Sequence, residues 1–280
     1  MTNETKAQIE RALDERFGTQ IPVAADQIGA DALARILEHR SHRRFLEQPV
    51  GAELLQLLFA CALSAPSKSD LQQADIVHVS DAAKRKVIAD LIPDNPWVRS
   101  APVFLVFCGN NRRTRQVADW RGKSFANDHL DAFFNAAVDA GIVMATFIHA
   151  AEAAGLGCCP ISSVRNHAQT VSDLLALPDW VFPVAGMCVG YPAAPGRITS
   201  RLPLDVTVHV DRFDEAGIAA KIDDYDRRRD ARQPYREQRS VEIYGEADFY
   251  GWSEDKARQY SVVQRADFGA FIRGKRFKLA

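Results

Sequence analysis

The stretch HRSHRRF, from His39 to Phe45, is the strongest local indication of a binding site in this chain. It places three arginines, two histidines and one serine within seven residues, directly after a predicted helix. An arginine guanidinium offers a planar fork of N–H donors that suits a phosphate group, and a serine hydroxyl adds a further donor. Cations at a helix C-terminus also complement the helix dipole, and charge clusters usually lie at the surface. Taken alone, the stretch therefore favours a solvated basic helix end over a phosphate site.

The composition argues against several classes of protein. Of the 280 residues, 47% are apolar, which is enough for a sizeable core, and the formal net charge is −1. A charge near zero argues against non-specific binding to nucleic acid or to a membrane surface. No apolar run predicts a membrane span, and the polar N-terminal segment lacks the apolar stretch of a signal peptide. The five cysteines show no CxxC spacing, so we expect a reduced, cytoplasmic protein with neither a disulfide framework nor a metal site.

Hydrophobic patterning predicts a succession of helices and strands. Strands are expected near residues 76–79, 102–108, 158–161 and 182–191. Helices are expected near residues 31–38, 54–63, 84–92, 131–154 and 171–175. Asp31 is the expected N-cap of the helix that leads into the basic stretch. The 131–154 helix is apolar on nearly every side, which predicts burial in the core or at a subunit interface.

Two polar segments have both a functional and a structural interpretation. The loop at residues 67–73 presents hydroxyls and backbone N–H groups, yet it is also typical of an ordinary helix-to-strand connection. Residues 223–239 alternate acidic and basic side chains. That alternation is typical of a solvated helix laced with ion pairs, although its arginines could also bind a phosphate.

Four separate segments, taken in order, resemble the nitroreductase family of FMN-dependent oxidoreductases, and most of all its larger NADPH-preferring, oxygen-insensitive branch. They are His39–Arg43, the loop SKSDLQ at Ser67–Gln72, the run Ala153–Asn166, and GYPA at 190–193 followed by RLP at 201–203. No single motif is specific for the family. The order and spacing of all four, over about residues 30–240, are specific for it. This resemblance turns the basic stretch into an expected phosphate site.

The resemblance implies an α+β fold, in which helices flank a central mixed β-sheet. It also implies an intertwined homodimer, with flavin bound at the subunit interface. On this basis residues 1–30 are an N-terminal extension and residues 31–210 are the FMN-binding core. Residues 211–280 are a C-terminal extension that packs on the core or on the partner subunit.

The resemblance also implies which residues hold the cofactor. It assigns the FMN phosphate to Arg40, Ser41 and Arg201, with His39 beside them. Arg43 is expected near the ribityl chain or the pyrimidine edge. The other expected contacts are Asn95 near the ring, the backbone of Pro160, Ile161, Ser162 and Ser163 along the isoalloxazine, and the loop residues Ser67, Ser69, Asp70 and Gln72, with Ser67 supplied by the partner subunit. Arg227, Arg229 and Arg232 are expected at the extra phosphate of NADPH.

The implied reaction needs no amino-acid nucleophile and no acid–base pair. FMN accepts hydride at N5 from NADPH or NADH and passes it to a nitroaromatic, quinone or flavin acceptor, which predicts ping-pong kinetics. Donors and cations near the pyrimidine edge stabilise the reduced form.

The alternative is a flavin-binding storage or redox-sensing protein with little turnover. It is suggested by two departures from the family pattern, Asp70 in place of asparagine and Ser162-Ser163 in place of a glycine pair. A third departure is Thr199, which stands where the family has a phosphate-binding lysine and for which Arg197 is the expected substitute.

Overall fold

The computed structural model describes all residues from Met1 to Ala280. They form two compact units, a smaller one of residues 1–39 and 197–264 and a larger one of residues 40–196 and 265–280. The chain therefore leaves the larger unit after Gly196 and returns to it at Arg265. The expected boundaries at residues 30 and 210 stay a prediction, because compactness does not show which segments fold on their own.

The helices are numbered in chain order, and two short 3₁₀ helices cover Lys68–Asp70 and Ser162–His167. The α-helices are α1 Asn3–Phe17, α2 Ala30–Leu37, α3 Ala52–Leu63, α4 Ala82–Leu91, α5 Trp97–Ser100, α6 Arg112–Trp120, α7 Leu130–Ala153, α8 Ala168–Leu174, α9 Leu204–Thr207, α10 Ile218–Arg232, α11 Val241–Tyr244, α12 Trp252–Tyr260 and α13 Phe268–Gly274.

A four-stranded sheet is the centre of the larger unit. Its spatial order is β1-β2-β4-β3, and all neighbouring strands are antiparallel. The strands are β1 Ala74–His78, β2 Val103–Asn110, β3 Gly157–Ile161 and β4 Val181–Gly190. An isolated parallel bridge outside these strands joins Ser41 to Cys158. The sheet was expected to be mixed, but its four strands are all antiparallel.

β2 separates two apolar layers of the larger unit. All its residues are buried, and successive side chains of a strand point to opposite faces. Leu105 and Phe107 pack on one face with residues of α3 and α7. Phe104 and Val106 pack on the other face with residues of α4, α5 and α8. The predicted buried strand is confirmed, and so is the α+β arrangement of helices around a central sheet.

α7 has 24 residues, and by length and composition alone it could cross a membrane. The length of this helix matches the prediction, but the expectation that no apolar run is long enough to span a membrane does not hold for it. Its packing is that of a core helix, since Ala140, Phe147 and Ala151 are fully buried. Phe134 and Val138 are exposed. The helix is therefore apolar on nearly every side, as predicted, but it is not buried on every side.

The C-terminal residues complete the core of the larger unit. Phe271 and Ile272 of α13 and the following Phe277 form one apolar cluster with Ala136 of α7 and Phe182 of β4. The Phe182 and Phe277 rings meet edge to face, with centroids 5.3 Å apart. This segment therefore packs on the core of its own chain.

The smaller unit is helical. α1 and α2 pack through Ile9, Leu13, Ala30 and Ala34. The N-cap of α2 is Gly29, with a φ of 69°, and not Asp31. The Asp31 carboxylate instead accepts a hydrogen bond from the Thr5 hydroxyl at 2.8 Å, which ties α2 to α1.

Residues 223–232 of the segment of alternating charge lie in α10, whereas residues 233–239 follow the end of that helix. One ion pair, between Asp224 and Arg227, lies within the helix. The helix packs against α12, where the rings of Tyr225 and Trp252 meet edge to face at 5.5 Å. The buried Asp226 carboxylate accepts a hydrogen bond from the backbone N–H of Ser253 at 3.1 Å. α10 is therefore solvated on one face and part of the packing on the other.

Candidate functional site

The basic stretch runs alongside β3 in the larger unit. Ser41 forms a parallel bridge with Cys158, and the backbone N–H of His42 donates to the Cys158 carbonyl at 2.9 Å. Further along, Phe45 bridges Pro192. The structure thus brings Arg40, Ser41 and Arg43 next to the strand that carries Pro160 and Ile161, and their contacts with FMN stay a prediction.

Gly157 allows the basic stretch to approach β3 this closely. A Cβ atom added at Gly157 would lie 2.7 Å from Cγ of His42, and one added at Gly196 would lie 2.9 Å from Cβ of Arg40. Both distances are shorter than carbon atoms tolerate, so the lack of side chains at these two positions lets the stretch lie against the strand.

Asn95 and Ser163, two of the expected ring contacts, also meet in the structure. The Asn95 amide donates to the Ser163 hydroxyl at 3.2 Å. Two residues further along, the Trp97 ring lies under the Arg43 guanidinium, with 5.3 Å from Cζ to the ring centroid. Arg43, Asn95 and Ser163 therefore belong to one cluster beside β3, which we call the β3 cluster together with Arg40, Ser41 and Pro160–Ser162.

The serine pair of the β3 cluster causes no backbone strain. Neither Ser162 nor Ser163 is among the non-glycine residues with positive φ, so the conformation does not require the glycines that the family has there. The Ser162 hydroxyl accepts a hydrogen bond from the Arg265 guanidinium at 3.4 Å. This departure is therefore compatible with the local fold.

The second expected segment is a strained loop held by one buried carboxylate. Ser69, Asp70 and Gln72 have φ values of 51°, 56° and 50°, which non-glycine residues rarely adopt. Asp139 of α7 is only 1% exposed. Its carboxylate accepts hydrogen bonds from the Ser67 hydroxyl at 2.8 Å, the Lys68 N–H at 3.1 Å and the Gln73 N–H at 3.2 Å.

Asp139 did not figure among the expected site residues, although a signal for it exists. It lies on the buried face of α7 with Ala132, Ala136, Ala140 and Val143. A carboxylate at apolar spacing on a buried helix face needs partners, and here those partners are the loop donors. Asp139 is therefore the residue that gives the loop its shape.

The loop and the β3 cluster lie at opposite edges of the sheet. The loop leads directly into β1, and β1 and β3 are the two edge strands. Three inter-strand spacings of about 4.8 Å separate the edges. Beside the loop is an open cavity of about 830 Å³ lined by Ser67, Asp70, Gln72, Asp139 and other residues. The expected loop contacts and ring contacts are therefore not brought together within one chain.

His39 and Arg201 belong to the smaller unit, where Arg16 connects their segments. The Arg16 guanidinium donates to the carbonyl of His39 at 2.7 Å and to that of Thr199 at 3.3 Å. The backbone N–H of Arg201 donates to the Arg16 carbonyl at 2.6 Å. The Arg201 guanidinium donates to the Thr199 hydroxyl at 2.6 Å, so the residue that replaces the family lysine orients the expected phosphate ligand.

The three arginines expected at the NADPH phosphate differ in how many contacts their guanidinium groups already make and in how exposed they are. Arg232 donates to the Asp14 carboxylate at 2.9 Å. The Arg229 guanidinium lies 4.0 Å from the centroid of the Tyr235 ring. Arg227 pairs only with Asp224, three residues earlier, at 3.0 Å and is 68% exposed. Of the three, Arg227 is the most accessible to a ligand.

Burial keeps the thiols near the β3 cluster protonated. Burial raises the pKa of Cys159, and the nearby Arg43 opposes this rise without cancelling it. Burial also raises the pKa of Cys158 well above its usual value, and Glu152 adds to the effect. A protonated, inaccessible thiol is a poor nucleophile, so neither cysteine carries covalent chemistry here.

Known proteins resemble this chain in sequence and in fold. The model of the nitroreductase family matches residues 36–191, and that of the nitroreductase family C-terminal domain matches residues 200–280. An FMN reductase (NAD(P)H) of Bacillus subtilis is 35% identical over 199 residues, which are 70% of this chain and 80% of that protein.

Two further proteins extend the comparison. An NADPH-flavin oxidoreductase of Vibrio harveyi is 35% identical over 188 residues, which are 67% of this chain and 77% of that protein. The solved structure of NfrA2 from B. megaterium has a TM-score of 0.81 at 30% identity and covers 89% of this chain and 99% of its own. Both matched family regions begin after α1, so that helix lies outside them.

Proposed function

Because this chain belongs to the nitroreductase family, we propose that it passes reducing equivalents from NADPH to nitroaromatic, quinone or flavin acceptors by a ping-pong mechanism. The chain is an NAD(P)H-dependent oxidoreductase, and its cofactor is FMN. The observation that carries the proposal is the Ser41–Cys158 bridge, because it joins the expected phosphate ligands to the expected ring-lining strand.

The residues present fit FMN. Arg40, Ser41 and Arg43 supply cationic and hydroxyl donors beside β3, and the side chains of Ser41 and Arg43 are exposed. In the smaller unit, Nη1 of Arg228 is buried without a hydrogen-bond partner, while its Nη2 donates to the Arg201 carbonyl at 3.0 Å. A buried donor without a partner is costly, and an anionic group held by Arg201 would relieve that cost.

The roles follow from the chemistry of each side chain. Bound FMN supplies the hydride transfer at its N5 atom. Arg40, Ser41 and Arg201, with His39, hold the phosphate, since guanidinium forks and a hydroxyl suit phosphate oxygens. Arg43 and Asn95 orient the ring edge, and the backbone of Pro160–Ser163 lines the ring. No side chain of this chain has to act as a nucleophile or as a general base.

We also propose that the active form is a homodimer in the cytoplasm. The loop at Ser67–Gln72 and the β3 cluster lie at opposite sheet edges of one chain, so a second chain can supply the loop to the same flavin. Leu57 of α3 and Phe134 of α7 are 60% and 59% exposed. Large apolar side chains exposed on neighbouring helices are typical of an interface.

The absorbance spectrum of the purified protein tests the function. We expect a yellow protein whose visible bands bleach on anaerobic addition of NADPH and return on addition of a quinone or nitroaromatic acceptor. A yellow protein that does not bleach would favour the storage or sensing alternative. A colourless protein that FMN cannot reconstitute would contradict both.

The choice of reductant tests the arginines of α10. We expect NADPH to be preferred to NADH. Arg227→Ala should raise KM for NADPH by about 5–20-fold, because one charge-assisted hydrogen bond is lost. KM for NADH should be unchanged. Arg212→Ala is the control, because Arg212 is also in the smaller unit and is 83% exposed beside Asp214. Equal turnover of the wild type with NADH and NADPH would contradict the proposed preference for NADPH.

A further inference from the structure

One buried guanidinium in α1 binds three backbone carbonyls from two distant parts of the chain. Arg16 is only 6% exposed. Its Nε donates to Leu37 O at 3.0 Å, its Nη2 to His39 O at 2.7 Å and its Nη1 to Thr199 O at 3.3 Å. All of these residues belong to the smaller unit.

The last turn of α1 also accepts hydrogen bonds from the same segment around Thr199. The Arg16 carbonyl accepts from the Arg201 N–H at 2.6 Å, and the Glu15 carbonyl accepts from the Ser200 hydroxyl at 3.3 Å. The Arg201 guanidinium is in turn held by the Thr199 hydroxyl. Arg16 thus contacts the backbone of His39 and of Arg201, which are proposed phosphate ligands, as well as the backbone of Leu37 and Thr199.

We propose that Arg16 is a positioning residue for the FMN phosphate, which rests on the proposed function. Its planar fork presents N–H donors in fixed directions, so one side chain holds both segments in a single arrangement. Holding ligand groups in place before binding lowers the entropy lost when the ligand arrives. α1 lies outside the regions that match the family models.

A lysine could not reproduce the arrangement. Its ammonium group is a compact point charge at the end of a flexible stem, whereas three carbonyls at separate positions need the spread of a guanidinium. Arg16→Lys should therefore keep the buried cation but lose the simultaneous contacts. Arg16→Gln removes the cation as well.

The experiment compares FMN with riboflavin, which lacks the phosphate. Dissociation constants are measured by flavin fluorescence on apoprotein of the wild type, Arg16→Lys, Arg16→Gln and Arg11→Gln, with thermal melts of each apoprotein. Arg11→Gln is the matched control. Arg11 is in the same helix and makes only an exposed ion pair with Glu38 at 3.2 Å.

We expect Arg16→Gln to weaken FMN binding by about 10–100-fold and riboflavin binding by less than about 3-fold, with Arg16→Lys between. Arg11→Gln should change neither constant. Equal losses for both flavins, or an unchanged FMN constant, would overturn the positioning role. If Arg16→Gln fails to fold, the test uses Arg16→Lys, for which the loss of FMN affinity is again compared with the loss of riboflavin affinity. A wild type that binds no FMN would overturn the proposed function as well, which separates the two failures.

Discussion

Replacing Asp139 with alanine is expected to lower the free energy of unfolding of the apoprotein by about 3–5 kcal/mol, because it leaves buried donors without their charged acceptor. The Asp139 carboxylate accepts from the Ser67 hydroxyl and from two backbone N–H groups, of Lys68 and Gln73. Alanine offers no acceptor, and water has little access to a site that is 1% exposed. The measurement is urea unfolding at one fixed protein concentration.

Asp131→Ala provides the control for this substitution. Asp131 is on the same helix and contacts the same loop, where its carboxylate lies 3.7 Å from Nζ of Lys68, but both side chains are 50% exposed. An exposed ion pair of this kind contributes less than about 1 kcal/mol. Equal stabilities of the Asp139 and Asp131 variants would show that the loop does not depend on the buried carboxylate.

The loss of Asp139 is also expected to affect flavin binding. Ser69, Asp70 and Gln72 keep their positive φ values only where the surrounding contacts over-determine them. Without the carboxylate, the loop is expected to relax toward more common conformations. FMN affinity of Asp139→Ala should therefore fall even under conditions where the variant is fully folded.

Replacing Arg40 with alanine is expected to weaken FMN binding by about 10–100-fold, the effect of removing one charge-assisted contact to a phosphate. Riboflavin binding should change much less, since it has no phosphate to lose. The backbone of Arg40 keeps its own contact, because its N–H donates to the Glu152 carboxylate at 3.4 Å. This backbone contact is the same in the alanine variant.

Arg44→Ala tests whether the effect at Arg40 is simply one of charge. Arg44 belongs to the same basic stretch, and its carbonyl accepts a hydrogen bond from the Ala193 N–H at 3.0 Å, which alanine retains. We expect less than about 3-fold change in FMN affinity, because exposed charges are screened by salt over about 10 Å. Similar losses for both variants would favour a general electrostatic attraction over a phosphate contact.

Much of the larger unit could be predicted from the sequence, because its elements have strong apolar patterns. The run at 102–108 was recognised as buried, and β2 covers Val103–Asn110. The long apolar segment at 131–154 corresponds to α7, within one residue at each end. The prediction that Asp31 is the N-cap of α2 was wrong, because its carboxylate instead accepts a hydrogen bond from Thr5 in another helix. No local sequence pattern reveals such a tertiary contact.

The residues that support the candidate site were harder to predict. Arg16 and Asp139 both form hydrogen bonds with backbone groups of segments far away in sequence. Every residue type has such backbone groups, so the sequence does not show which residue will be the partner. A usable signal existed in the spacing. Arg16 follows Ile9, Ala12 and Leu13 on the buried face of α1, and a charge at such a position indicates a paired group.

The return of residues 265–280 to the larger unit has a consequence for biosynthesis. Phe271, Ile272 and Phe277 cover Phe182, which the ribosome makes much earlier. Domains generally fold as units during synthesis, but this one cannot close its apolar cluster until those late residues have emerged. A nascent chain that has reached residue 264 therefore still presents an uncovered aromatic surface, which is the kind of surface that chaperones bind.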